Sequence, residues 1–325
     1  MANANNAPVA QGGPSRSLTG AWQWQNLRGA AIWMRRAPKL GVGILIAILA
    51  STNGGCSPVE SGSADVNAQP TPTVAQRREI RILSWNLGTL PPRGAIELMH
   101  YKMPEFDILA VSDVPHDDVL NVAFEFFGRD NSLYSSHEGE TDNLILAWSD
   151  RFQPRELMEL REVDGRPLRA DWGQVPIGAR LYDTITGCEF IVLHLHCPDD
   201  GCFNAAGPLN RWVESQPVPV FVVGTLHANI DVETGQGGAA LAQWTGPQAN
   251  LDWIRPTTLV DSGWDDADGD GVDDASGFVQ HVALRSRSNR WTVRCEFVSD
   301  IVTRPSRFAS VQAPLLTRIE PPSAE

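Results

Sequence analysis

From Arg78 onward, apolar runs of strand length alternate with turn signals. Ile80–Trp85, Asp107–Val111, Asn143–Trp148, Glu189–Leu195, Val218–Val223, Val279–Leu284, Trp291–Phe297 and Ala313–Ile319 are the predicted strands. Several are continuous Val/Ile/Leu runs, the pattern of strands covered on both faces. Helical spacing falls between some of them. Ala95–Met103 sets Ile96, Leu98 and Met99 near one side, and Asp117–Phe127 and Leu209–Glu214 are shorter helical stretches. Strand–helix alternation comes first, then hairpin-like pairs such as Asn143–Trp148 with Glu189–Leu195. This order predicts a mixed α/β layered domain of about 240 residues.

Ahead of that domain, Ser57–Gln76 is polar and rich in Ser, Pro and Ala, a flexible tether. Before it, Leu40–Ala50 is an eleven-residue apolar run behind Arg35, Arg36 and Lys39. That is the length and flank of a signal-peptide hydrophobic segment, too short to cross a bilayer. The stretch STNGGC ends at Cys56 and is similar to a bacterial lipoprotein cleavage site, at which the Cys is lipidated. Asn53 and Gly54 depart from that pattern, so a plain signal peptide or an N-terminal anchor is the other reading. The expected organisation is a leader (1–56), a linker (57–77), a folded domain (78–320) and a short tail (321–325). The expected location is the periplasm or the cell surface, with a membrane tether through the leader as one form of it.

Composition narrows the classes. With 42% hydrophobic residues and eleven Trp, the chain can bury a sizeable core, which excludes wholesale disorder. Five of the 26 basic residues lie in 1–55, which hold no acid, so the remainder sets 21 basic against all 39 acidic residues. Such a surface repels polyanions and argues against nonspecific nucleic-acid binding. Beyond Cys56, the cysteines Cys188, Cys197, Cys202 and Cys295 make the even number expected of a disulfide-permissive compartment. Cys197 and Cys202 close a short Pro/Gly turn and are the expected bridge. A metal reading of that pair with His194 and His196 fits no zinc spacing.

Five short motifs, taken in order, identify a family. RILSWNLGTL (Arg81–Leu90) is a strand ending in Asn86, and EFDILAVSDV (Glu105–Val114) a second ending in Asp113. FIVLHLH (Phe190–His196) ends in histidine, VPVFVVGTLHANI (Val218–Ile230) runs into a Gly turn, and SVQAPLLTRI (Ser310–Ile319) closes the chain. This succession resembles the endonuclease/exonuclease/phosphatase family, which includes DNase I-like nucleases, abasic-site endonucleases, inositol-polyphosphate phosphatases and sphingomyelinases. The resemblance implies a DNase I-like, four-layer α-β-β-α sandwich of two mixed β-sheets, with the site at one end, where strand ends deliver polar groups into a cleft. It implies phosphoester hydrolysis with Mg²⁺, in which carboxylate oxygens hold the cation, a His–Asp pair activates water, and Asn or His holds phosphoryl oxygens.

Carried over one residue at a time, the resemblance assigns Asn86 to metal or phosphate and Asp113 to the metal, in place of the family's Glu. It assigns His194 to phosphate, with His196 as an alternative register. A turn-capping Asn and a solvated loop acid are the bland readings of Asn86 and Asp113. Two later motifs depart. The family's G-D-x-N turn reads Gly224-Thr225-Leu226-His227, so Thr225 and His227 replace the Asp and the Asn. The closing S-D-H-x-P motif reads Ser310-Val311-Gln312-Ala313-Pro314, and neither Val311 nor Gln312 can accept a proton near neutral pH. His227 and His281 are titratable groups that could stand in for the lost acids. The expectation is a divalent-metal phosphoester hydrolase with impaired catalysis, or a noncatalytic member of the same fold that binds a phosphate-bearing ligand or a partner.

One segment lies outside those motifs. Asp261–Asp274 carries seven Asp in fourteen residues, within an acidic insert spanning 261–277. Asp266, Asp268 and Asp270, followed by Gly271, reproduce the start of a calcium loop, with Asp274 at the ninth position and Gly277 where a bidentate Glu would close it. A weak structural Ca²⁺ site and a solvated acidic turn are the two readings. A calcium-dependent adhesion module is a third, remoter view of the whole chain.

Overall fold

The computed structural model describes residues 77–88, 90–135, 143–163, 165–167, 174–197, 203–260, 278–298 and 313–322. The leader with Cys56, the linker up to residue 76, Cys202, the acidic insert with Asp266, Asp268, Asp270 and Asp274, Gln312 and the end of the tail lie outside them. His227 and His281 are placed only as backbone positions.

In chain order the elements are β1 (Ile80–Asn86), α1 (Pro92–Tyr101), β2 (Ile108–Val114), α2 (Val119–Glu125), β3 (Ser132–Ser135), β4 (Asn143–Trp148) and β5 (Phe152–Glu159). There follow the two-residue strands β6 (Glu162–Val163) and β7 (Arg166–Pro167), then β8 (Ile177–Asp183), β9 (Glu189–His196), α3 (Phe203–Ser215) and β10 (Val220–Asp231). Last come α4 (Ala239–Thr245), β11 (Leu251–Trp253), β12 (Phe278–Ser286), β13 (Thr292–Phe297) and β14 (Leu315–Glu320). Two six-stranded mixed sheets result, ordered β13-β14-β1-β2-β4-β3 and β11-β12-β10-β9-β8-β5.

The continuous apolar runs have the cause expected of them. In β1, Ile80 and Ile82 join the core between the sheets, while Leu83, Trp85 and, just past the strand, Leu87 pack with Ala95 and Met99 of α1 and Val119 and Val122 of α2. The second sheet is covered likewise, with Ala206, Leu209 and Val213 of α3 and Leu241 and Trp244 of α4 in its core. Each central strand is therefore buried on both faces, and the four-layer α-β-β-α arrangement follows. Pro92 opens α1, where its missing N–H has no intrahelical partner to lose.

One expected pairing is corrected. β4 and β9 do not form a hairpin: β4 pairs with β2 and β3 in the first sheet, and β9 with β8 and β10 in the second. β8 lies between them in sequence and takes the partner assigned to β4.

The inner faces of the two sheets change polarity along their length. On β1 the inward residues run Ile80, Ile82, Ser84, Asn86, all buried. On β9 they run Phe190, Val192, His194, His196, and alongside on β10 Phe221, Val223, Thr225. The apolar ends hold the sheets together, and the polar ends coincide.

At the apolar end, beyond the core, an ion network ties one sheet to the other. Arg151 sends Nε and Nη2 to the two oxygens of the fully buried Asp183, each at 2.8 Å, and also donates to the carbonyls of Arg78 and Glu79. Burial raises the Asp183 pKa, but bonds from Arg151, Thr186 and the Ile185 N–H outweigh it, so the carboxyl is held below its ordinary range.

Candidate functional site

Four strands deliver polar side chains to the other end. β1 and β2 run parallel with Asn86 opposite Ser112, and β9 and β10 run parallel with His196 opposite Thr225. Asn86 Nδ2 donates to Thr225 Oγ1 across the sandwich at 3.3 Å, and Asn86 Oδ1 accepts the Gly88 N–H at 2.8 Å. Both ends of one amide are thus engaged, one on the opposite sheet and one on its own turn.

Asp113 reaches this group through an irregularity. Along β2–β4 the register runs from Val111 opposite Ile145 to Val114 opposite Asn143, so β2 carries one extra residue. Asp113 sits in this bulge with φ of 58°, the left-handed region that few L-residues other than Asn and Asp occupy. Strand alternation alone would group Asp113 with Leu109 and Val111 on the helix-covered face. The bulge turns it instead toward the second sheet, where its Oδ1 lies 3.2 Å from His196 Nδ1. Asn143 fixes the bulge from the neighbouring strand, donating from Nδ2 to the Val114 carbonyl at 2.8 Å.

β10 is irregular at the same level. Gly224 has φ of 141°, and a Cβ there would stand 1.8 Å from the Leu195 carbonyl oxygen, so no side chain fits between β9 and β10 at this point. Thr225 follows directly, and its carbonyl accepts the Cys197 N–H at 2.9 Å. The β10–β12 register then jumps from Thr225 opposite His281 to Ile230 opposite Val279, so Leu226–Asn229 forms a bulge that carries the His227 position. His281 is thereby placed as the register partner of Thr225.

Asn86, Asp113, His196 and Thr225 meet, and Ser112 adjoins them. His194 lies one inward position deeper on β9, fully buried, with Nδ1 3.1 Å from the Ile145 carbonyl of the opposite sheet. Of the two registers weighed from sequence, the structure puts His196 beside Asp113. Ser112, which with Asp113 and Val114 stands where the family has a Q-E-V ending, has no role assigned from sequence, although its place before Asp113 at the end of β2 is a usable signal. Cys197 is disulfide-bonded, whereas Cys188 and Cys295 are free thiols. Burial pushes the Cys295 thiol up to about 12, with Glu296 adding to the shift, so this cysteine is unreactive.

A hard divalent cation takes about six oxygen donors, carboxylates foremost. Here the Asp113 carboxylate stands with Oδ1 against an imidazole, Asn86 Oδ1 already accepts one backbone N–H, and Thr225 offers a neutral hydroxyl. Among the described residues no group of three His, Cys, Asp or Glu side chains could hold a metal. The described residues of this group therefore do not fit the Mg²⁺ that the family resemblance implies.

The chain has the fold of the endonuclease/exonuclease/phosphatase proteins. A protein of that description from Bacteroides vulgatus is similar at 14% identity, covering 74% of this chain and 98% of that one, with a TM-score of 0.55. The catalytic domain of Xenopus laevis APE2 is similar at 13% identity over 76% of this chain and 94% of that one, with a TM-score of 0.53. A mannosyl-6-phosphatase from Bacteroides thetaiotaomicron is similar at 14% identity over 74% of this chain and 99% of that one, with a TM-score of 0.50. No protein-family model matches the chain, and no curated protein does.

Proposed function

We propose that this end of the sandwich binds a phosphoester and turns it over slowly at most. The observation that carries the reading is the meeting of Asn86, Asp113, His196 and Thr225, from four strands of both sheets, at one level. Asn86 and Thr225 are suited to hold phosphoryl oxygens. His196, oriented by Asp113, is suited to move a proton. The solved structures of this fold include a phosphatase, which supports the substrate class.

Slow turnover is supported by what replaces the acids of the family motifs. Thr225 cannot act as a base at neutral pH, and Val311 and Gln312 stand where the resemblance places the general base and its orienting acid. Loss of a positioned base alone removes about 10²–10⁴ in rate. Export belongs to the same reading. It is supported by the leader and by the disulfide-bonded Cys197, which we pair with Cys202.

The test is turnover of phosphomonoesters and phosphodiesters, with and without Mg²⁺, beside the Bacteroides mannosyl-6-phosphatase. The expected rates fall at least about 100-fold below that enzyme's on its own substrate. Comparable turnover would refute the impairment, and failure of every phosphate-bearing compound to bind would refute the reading as a whole.

A further inference from the structure

The mismatch between the implied cation and the side chains present carries an inference of its own, which rests on the phosphoester reading above. We propose that the site engages phosphoryl oxygens directly, through Asn86, Ser112, Thr225 and His196, with no divalent cation between protein and ligand.

A cation-bridged site needs carboxylate oxygens turned toward the cleft and uncommitted to other partners. Asp113 is turned onto His196, and the αL bulge that aims it there is built into β2. Asn86 could offer a cation only its Oδ1, which already accepts the Gly88 N–H at 2.8 Å. The group it directs across the sandwich is Nδ2, a donor. Donors suit an anion.

Ser112 adds an independent observation. It is opposite Asn86 in the parallel register and so shares its face, it is fully buried, and its hydroxyl has no hydrogen-bond partner among the described residues. A buried hydroxyl is ordinarily satisfied. Beside an amide N–H and a threonine hydroxyl, it completes a neutral set able to donate to phosphoryl oxygen. With His196 Nδ1 3.2 Å from the carboxylate oxygen, Nε2 lies on the far side of the ring from Asp113. A carboxylate beside His196 repels an incoming anion and weakens its binding.

The experiment is thermal unfolding and calorimetric titration of the full chain with inorganic phosphate, in EDTA and then in Mg²⁺. Phosphate is expected to raise Tm in EDTA, with a Kd that changes less than about twofold when Mg²⁺ is added. Ser112→Ala, which removes a hydroxyl with no partner among the described residues and should fold normally, is expected to weaken phosphate severalfold. Asp113→Asn, close to isosteric, is expected to tighten it severalfold. Stabilisation by phosphate only in Mg²⁺, lost in Asp113→Asn, would overturn direct binding while leaving the phosphoester reading standing. No effect of phosphate in either condition would overturn both.

Discussion

Asn86 and Thr225, 139 positions apart in sequence, share a 3.3 Å hydrogen bond that joins the two sheets at their polar end. Thr225→Val keeps the shape and removes the acceptor, leaving a buried amide N–H without its partner. The expected loss is about 1–2 kcal/mol in urea denaturation. Asn86→Ala should cost more, because the Gly88 N–H also loses its acceptor.

Asp113 combines an unfavourable backbone with a contact to His196 across the sheets. Asp113→Gly relieves the left-handed strain and is expected to raise stability by about 1 kcal/mol, whereas Asp113→Ala keeps the strain and should lower it. A gain in unfolding midpoint for Ala as large as that for Gly would show that φ is not the cause.

Gly224 is predicted to tolerate no substitution. An added Cβ would lie 1.8 Å from the Leu195 carbonyl oxygen, so Gly224→Ala must push β9 and β10 apart. A loss on the order of 3 kcal/mol is expected. The amides of Cys197 and Thr225 should exchange faster as the ladder there opens, which hydrogen exchange would detect.

Acid should weaken the opposite end. Burial raises the Glu79 carboxyl, but hydrogen bonds from Arg81, Arg294 and Arg318 outweigh it and bring the pKa from 4.5 down to about 2. A depressed folded pKa contributes stability that is fully present above about 4.5 and is lost as the pH falls toward 2. The contribution is roughly 2–3 kcal/mol. Glu79→Gln should flatten stability against pH in that window without abolishing the slope, because Asp183 titrates in the same direction.

The parts of the fold legible in sequence were those with continuous apolar runs. β1, β2, β4, β9 and β10 are buried on both faces and were recognisable from that alone. β5 is an edge strand, exposed from Gln153 to Leu157 and interrupted by Pro154, so its sequence resembles a loop. β8 alternates buried Ala179 and Leu181 with half-buried Arg180 and Tyr182, and without it β4 and β9 looked like neighbours. At the site, strand ends pointed to Asn86, Asp113 and Thr225, but His194 and His196 share one face of β9, and nothing local distinguishes the deeper from the outer. The bulge that turns Asp113 across the sandwich is a register effect between two strands, which a single strand's pattern does not carry.

Arg151 fastens the sheets at one end with charged, multiply bonded contacts, and the Asn86–Thr225 hydrogen bond joins them at the other. Acid that protonates Asp183 would loosen the first fastening and leave the second in place, so the two ends are expected to part under different conditions.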